Sequence, residues 1–190
     1  MTDRGDTETA LESRTGLPEE LRVLAQALPR ADWPRHANFD GLTRFWLERH
    51  VMFREVLSRI AAETDAFSAG DMEARSYGQR LSRLAGFFVQ QLHEHHHIED
   101  AHYFPELERL DERLKRGFAI LDLDHHSLDR SLRTFAADTN EVLDAIRDGG
   151  AAIERAKAYR DEFAPFERML VRHLEDEEEI IVPLLLKYGG

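Results

Sequence analysis

Two short spacings in this chain could hold metal. His95 and Glu99 stand four residues apart, and so do His173 and Glu177. On a helix each pair shares a face, so an imidazole nitrogen and a carboxylate oxygen converge from one element. Both pairs continue apolar stripes: Phe88 and Leu92 lead into the first, Leu170 leads into the second, and Ile180, Ile181 and Leu184 follow it. The two segments also match each other. His95, Glu99, Pro105 and Leu107 reappear 78 residues later as His173, Glu177, Pro183 and Leu185. His50, followed by Phe53 and Leu57, is echoed 75 residues later by His125, followed by Leu128 and Leu132. The chain reads as a doubled unit, a helix with one inward histidine and then a helix with inward His-x-x-x-Glu. Two facing halves supply four imidazoles and two carboxylates. Carboxylates from opposite helices can each bridge two cations while imidazoles terminate them, and such an N and O donor set suits iron first, then manganese or zinc.

The elements that would carry these residues are helices. Between residues 41 and 186 apolar residues recur at spacings of three and four, for example Leu42, Phe45, Trp46, Phe53, Val56, Leu57 and Ile60. Four long helices are expected, at about 41–67, 72–103, 116–148 and 151–186, with breaks at Gly70 and Gly149-Gly150, and with Pro105 and Pro165 ending or bending their helices. Strand patterns are lacking. The fold class is therefore all-α, an up-down-up-down four-helix bundle over residues 41–190. Residues 17–40 are expected as an N-terminal arm with a short helix, pinned by Trp33 and Phe39, and residues 1–16 as a disordered tail. The length of 190 residues suits one domain with a real core. No cysteine is present, which removes disulfides, thiol catalysis, iron–sulfur clusters and thiolate zinc sites. The net charge of -12 repels phosphate backbones and argues against a nucleic-acid partner. No signal peptide or membrane span is legible, so a soluble cytoplasmic protein without a membrane partner is expected. Gly-rich phosphate loops, G-x-S-x-G and H-E-x-x-H are not found.

The segment His95-His96-His97-Ile98-Glu99-Asp100 leading to Tyr103-Phe104-Pro105, with His173-Leu174-Glu175-Asp176-Glu177-Glu178 leading to Val182-Pro183, resembles the hemerythrin-like (HHE cation-binding) family. The similarity spans about residues 39–188. It implies a four-helix bundle around a non-haem di-iron centre, oxo- or hydroxo-bridged, that meets O2 or related small oxidants such as peroxide or NO, with a role in oxidative stress. Carried over by position, the metal ligands are His50, His95, Glu99, His125, His173 and Glu177, the two glutamates bridging. Oxygen-carrying members place a second histidine four residues after the first on the third helix; here that position is Asp129. With two histidines per metal, both ions would keep an exchangeable position unless Asp129 coordinates. Such a pair fits a sensor, a peroxide-handling centre or an iron-handling site as well as reversible O2 binding.

The remaining histidines are read more plainly. His102, seven residues after His95, and Tyr103, four after Glu99, are candidates for an additional ligand or a supporting contact. His96 with Asp100 is a rival pair rotated by about 100° from His95 and Glu99 and is ranked below it, because the repeat and the apolar stripe both select His95. Within Glu175 to Glu179 only Glu177 is assigned inward and the other four are read as a solvated face. The leading function is a di-iron protein that binds or senses a small oxidant, with no catalytic residue assigned. The rivals are a di-iron enzyme turning over peroxide or NO and a metal-responsive regulatory or interaction module. A bundle with structural zinc or manganese ranks last.

Overall fold

The computed structural model describes residues 9–189. Among these residues there are helices and no strands. Four helices are long: α2 (Gly41–Ala69), α3 (Ala74–Ile98), α5 (Lys115–Arg147) and α6 (Ala152–Tyr188). Two are short: α1 (Val23–Ala27) and α4 (Phe104–Leu107). Single 3-10 turns at Glu19–Leu21, Arg30–Arg35 and Glu112–Leu114 complete the path. Asp40 starts α2 by accepting a hydrogen bond from the Thr43 amide at 3.0 Å, which satisfies one of the free donors of the first turn. α2 and α5 end on glycines with positive φ, Gly70 at 86° and Gly149 at 66°. In each case the next amide reaches back to the final turn, Asp71 to the Ala66 carbonyl and Gly150 to the Ala145 carbonyl, both at 3.0 Å.

The second long helix ends as α-helix at Ile98, and one π turn, Glu99–Tyr103, leads into α4. Pro105 accounts for the change. It has no amide to donate, and its ring crowds the carbonyl of Ala101, so the turn before it widens. The widened turn begins at Glu99. α6, by contrast, runs through Pro165 and Pro183 as assigned helix.

The chain packs as two compact units, and each long helix contributes to both. One unit comprises Met52–His95 and Leu128–Arg168. Its core is aromatic. Phe88 meets Phe53, Phe135 and Phe166 with ring centroids 5.7–6.3 Å apart, and Phe135 also meets Tyr159 and Phe163 at 5.7 Å. Two buried tyrosines resolve their polarity in the same way. Thr64 and Thr139 each lie 2.9 Å from a tyrosine hydroxyl, Tyr77 and Tyr159 respectively, while donating to the carbonyl four residues back. The two threonines are 75 residues apart, the interval that separates His50 from His125.

The other unit is built from residues up to Val51, His96–Ser127 and Met169 onward. Its apolar part gathers Leu17, Leu21, Leu24, Trp46, Phe104, Phe118, Leu121, Ile180 and Leu184. At Gly117 a Cβ would sit 2.7 Å from Ile180 Cδ1, so glycine permits the close approach of α5 to α6 there. Trp33 is buried with Val182 and Leu186, Phe39 is packed against them, and the Trp33 indole donates to the Leu28 carbonyl at 2.8 Å.

The expected disordered tail needs correction over residues 9–16, where Leu11 and Arg14 are buried. Arg14 reaches two buried aspartates, a pairing that sequence spacing does not reveal. Residues 1–8 of that expectation lie outside the described residues. Phe135→Ala in the aromatic core is expected to destabilise the protein by about 3–5 kcal/mol, the usual cost of removing a buried ring. Denaturant unfolding followed by circular dichroism measures it, and a loss below about 1 kcal/mol would show that the ring is not fully packed.

Candidate metal centre

All six residues expected as ligands reach one region. His50 lies on α2, His95 on α3, Glu99 at the start of the π turn, His125 on α5, and His173 and Glu177 on α6. All are buried except His95, which is half-buried against the Phe53 ring at 5.0 Å. Two sets of donor atoms form. His50, His95, Glu99 and Glu177 offer atoms within 4.8 Å of one another, and so do His96, His125 and His173.

The carboxylates lie between imidazoles. Glu177 Oε1 is 3.4 Å from His50 Nε2 and its Oε2 is 3.3 Å from His173 Nε2, so its two oxygens face different histidines. Glu99 Oε2 is 3.6 Å from His125 Nε2. These separations are long for hydrogen bonds to a charged partner. The two Glu177 separations match ligands that share an ion, which at about 2.1 Å each lie roughly 3.0–3.4 Å apart, and the Glu99 separation is slightly longer. The donor set, imidazole nitrogens and carboxylate oxygens without sulfur, fits a hard-to-borderline divalent ion.

The opposite ring nitrogens are also held. His50 Nδ1 lies 3.0 Å from Glu178 Oε1, His125 Nδ1 2.7 Å from Asp100 Oδ1, and His173 Nδ1 3.2 Å from Asp124 Oδ2. A carboxylate at Nδ1 keeps a proton there and leaves the Nε2 lone pair for the centre, the arrangement in which histidines ligate metal. The Trp46 indole donates to Glu177 Oε1 at 2.5 Å and orients that carboxylate. Cations balance the outer carboxylates: Arg30 pairs with Glu178 at 2.5 Å, and Arg172 with Asp176 at 2.6 Å.

Protonation reflects the crowding. Burial opposes charge on His50, but Glu177 and Glu178 outweigh it and raise its pKa. Burial likewise opposes charge on His173, yet Asp124 and Glu177 push it up to about 9. Glu99, buried and beside Glu177, is held well above the usual carboxylate range. Glu177 is held well below it, because His50 and His173 overcome the effect of burial. Ions entering this set replace protons on His50, His173 and Glu99, so binding releases protons and strengthens as pH rises.

His96, ranked below His95 from the sequence, also enters a donor set. It is buried, its ring stacks on His125 with centroids 4.1 Å apart and 13° between planes, and it meets His173 edge-on at 5.5 Å. The repeat could not select it, since its counterpart 78 residues on is Leu174. Three other candidates do not join the donor sets. Asp129 is 34% exposed, with Arg133 at 3.7 Å and His93 at 3.9 Å. His102 is exposed, and Tyr103 packs edge-on against Trp46 at 5.1 Å. The acidic run also differs from expectation: Asp176 and Glu178 are buried, because Arg14, Arg172, Arg30 and His50 neutralise them. A local signal existed. Asp100 and Glu178 each directly follow an inward glutamate, and each holds the lone histidine on the first helix of the opposite half.

Helices that carry a buried cluster of imidazoles and carboxylates in this arrangement define a cation-binding helical protein. The model of the hemerythrin HHE cation-binding domain matches residues 41–185, and the chain belongs to that family. No curated protein and no solved structure shows significant similarity to the chain. No helix among the described residues is long and apolar enough to cross a membrane.

A pH consequence follows for protein freed of metal by chelation. His173 is raised from 6.5 to about 9, so its contribution to stability is fully present below pH 6.5 and is lost as pH rises through about 9. Glu99, also raised, acts in the same direction. The melting temperature of chelated protein is expected to fall across pH 6.5–9. A flat or rising profile over that window contradicts the assigned pairing.

Proposed function

We propose that this protein is an up-down-up-down four-helix bundle holding two iron ions, and that it binds or senses O2 or a related small oxidant, peroxide or NO. The observation that carries the reading is a pair of neighbouring donor sets, His50, His95, Glu99 and Glu177 in one and His96, His125 and His173 in the other, with Glu99 and Glu177 also 3.6 and 3.3 Å from His125 and His173. His96, His125 and His173 would give one ion three imidazoles, and Glu99 and Glu177, which face His125 and His173, could each add a carboxylate oxygen. His50 and His95 with the same two glutamates give the other ion one protein donor fewer, so that side keeps a place for an exogenous ligand. The third imidazole that Asp129 fails to supply from α5 comes instead from α3. This removes the reason for expecting an exchangeable position on both ions, and favours ligand binding over the enzyme reading.

When bound, the iron pair supplies a redox-active Lewis-acid centre for a small oxidant. The protein residues set the conditions around it. Glu99 and Glu177 would hold the ions, Glu177 with each oxygen toward a different histidine. Trp46 fixes the orientation of Glu177 through its indole N–H. Glu178, Asp100 and Asp124 keep protons on the outer nitrogens of His50, His125 and His173. Phe53 against His95, and Phe104 stacked on His125 at 5.3 Å, cover the rings with apolar surface and limit water.

Elemental analysis of untagged protein from unsupplemented cells should find about two irons per chain. Reduced protein exposed to O2 should then change its visible absorption. His96→Ala should lose about half the iron, since it strips one ion of an imidazole, while exposed His97→Ala should keep the full content. One zinc, or full iron in the His96 variant, would sink this reading. Sustained peroxide turnover without iron loss would move it to the enzyme alternative.

A further inference from the structure

Arg14 lies outside the four long helices and outside residues 41–185, which the family model matches, yet its side chain is 1% exposed. Its Nε donates to Asp176 Oδ2 at 2.7 Å and its Nη1 to Asp124 Oδ1 at 2.8 Å, while Nη2 bonds to Asp124 Oδ2. That same Asp124 Oδ2 faces His173 Nδ1. The segment around Arg14 is anchored too: Leu11 is buried, Arg14 Nη1 also donates to the Thr9 carbonyl, and Arg172 Nη1 donates to the Thr15 carbonyl, both at 2.8 Å.

Two buried aspartates, Asp124 on α5 and Asp176 on α6, repel each other unless a cation joins them. Arg172 pairs with the far oxygen of Asp176 at 2.6 Å, but it belongs to the same helix as Asp176 and its ion pairs run to Glu175 and Asp176. Arg14 is the group that touches both. Its planar fork takes Asp124 in a two-pronged grip, which fixes the rotation of that carboxylate as a point charge could not.

We propose that Arg14 is a positioning residue of the metal centre. By locking Asp124 it holds the His173 ring with its proton on Nδ1 and its Nε2 turned toward Glu177, so residues 9–16 form a strap that belongs to the site. The inference rests on the two-metal reading above. It assigns to an N-terminal segment a part in ligand geometry that the helices do not supply alone.

Cobalt(II) titration of the full chain tests it. Wild-type protein should bind about two ions per chain and show an exchangeable, paramagnetically shifted Nδ1–H proton resonance for His173, identified by its loss in Asp124→Asn. Arg14→Met should bind cobalt about 10–100-fold more weakly and lose or broaden that resonance through faster exchange with water. Arg14→Lys, which keeps the charge without the fork, should fall between the two. If Arg14→Met does not fold, Arg14→Lys decides: a broadened resonance supports the role, and a sharp one at the wild-type position with wild-type affinity overturns it. A lower melting temperature with unchanged affinity and resonance would show a structural role and overturn the proposal while leaving the metal centre standing. Failure of the wild type to bind cobalt would overturn the metal reading itself, and this inference with it.

Discussion

Imidazoles and carboxylates packed together away from water must each find a partner, and the rest of this site is a consequence of meeting that demand. An unpaired ionised group in such a place costs several kcal/mol. Three histidines meet it by presenting Nδ1 to an outer carboxylate, which fixes both tautomer and ring plane. The outer carboxylates then require cations. Glu178 finds Arg30, and Asp124 and Asp176 find Arg14. The N-terminal segments are held to the protein through these cations, as well as through Leu11, Leu17 and Trp33. Inner glutamates, histidines, outer carboxylates and arginines thus form successive layers of alternating charge.

The layers follow the internal repeat in part and break it in part. Asp100 and Glu178, each next to an inward glutamate, do the same work for His125 and His50. The match fails at two places. His96 has Leu174 as its counterpart, and Asp124, which holds His173, has Arg49. Both differences enrich the environment of His125 and His173 with donors and anions. The two halves of the repeat therefore offer unlike sets of donors.

Much of this was legible in the sequence, and what was not has physical causes. Long amphipathic helices declare themselves through periodicity, and Gly70 and Gly149 mark their ends because the left-handed conformation there favours glycine. His50, His95, Glu99, His125, His173 and Glu177, which the repeat singles out, all fall in the two donor sets, because inward position and repetition select the same residues. His96 sits one residue from His95 and off the repeat, so periodicity argued against it; its place depends on packing across helices, with His125 opposite. Asp176 and Glu178 looked like solvated charges because their neutralising partners, Arg14 and Arg30, lie about 150 residues away in sequence. Long-range ion pairs leave no local pattern. The π turn was signalled by Pro105, although the same residue type at positions 165 and 183 leaves α6 unbroken.

The indole of Trp46, bonded to the inward carboxylate of Glu177, gives the site a voice in light emission. The chain has two tryptophans, and the other, Trp33, is buried among Val182 and Leu186 with its N–H on a backbone carbonyl. Trp46 is therefore the fluorophore whose excited state feels the charge on Glu177 directly, while Trp33 reports on the arm. In a protein where Trp33 is replaced by phenylalanine, intrinsic fluorescence becomes a local reading of that carboxylate, so events at the centre can be followed in real time without any added label.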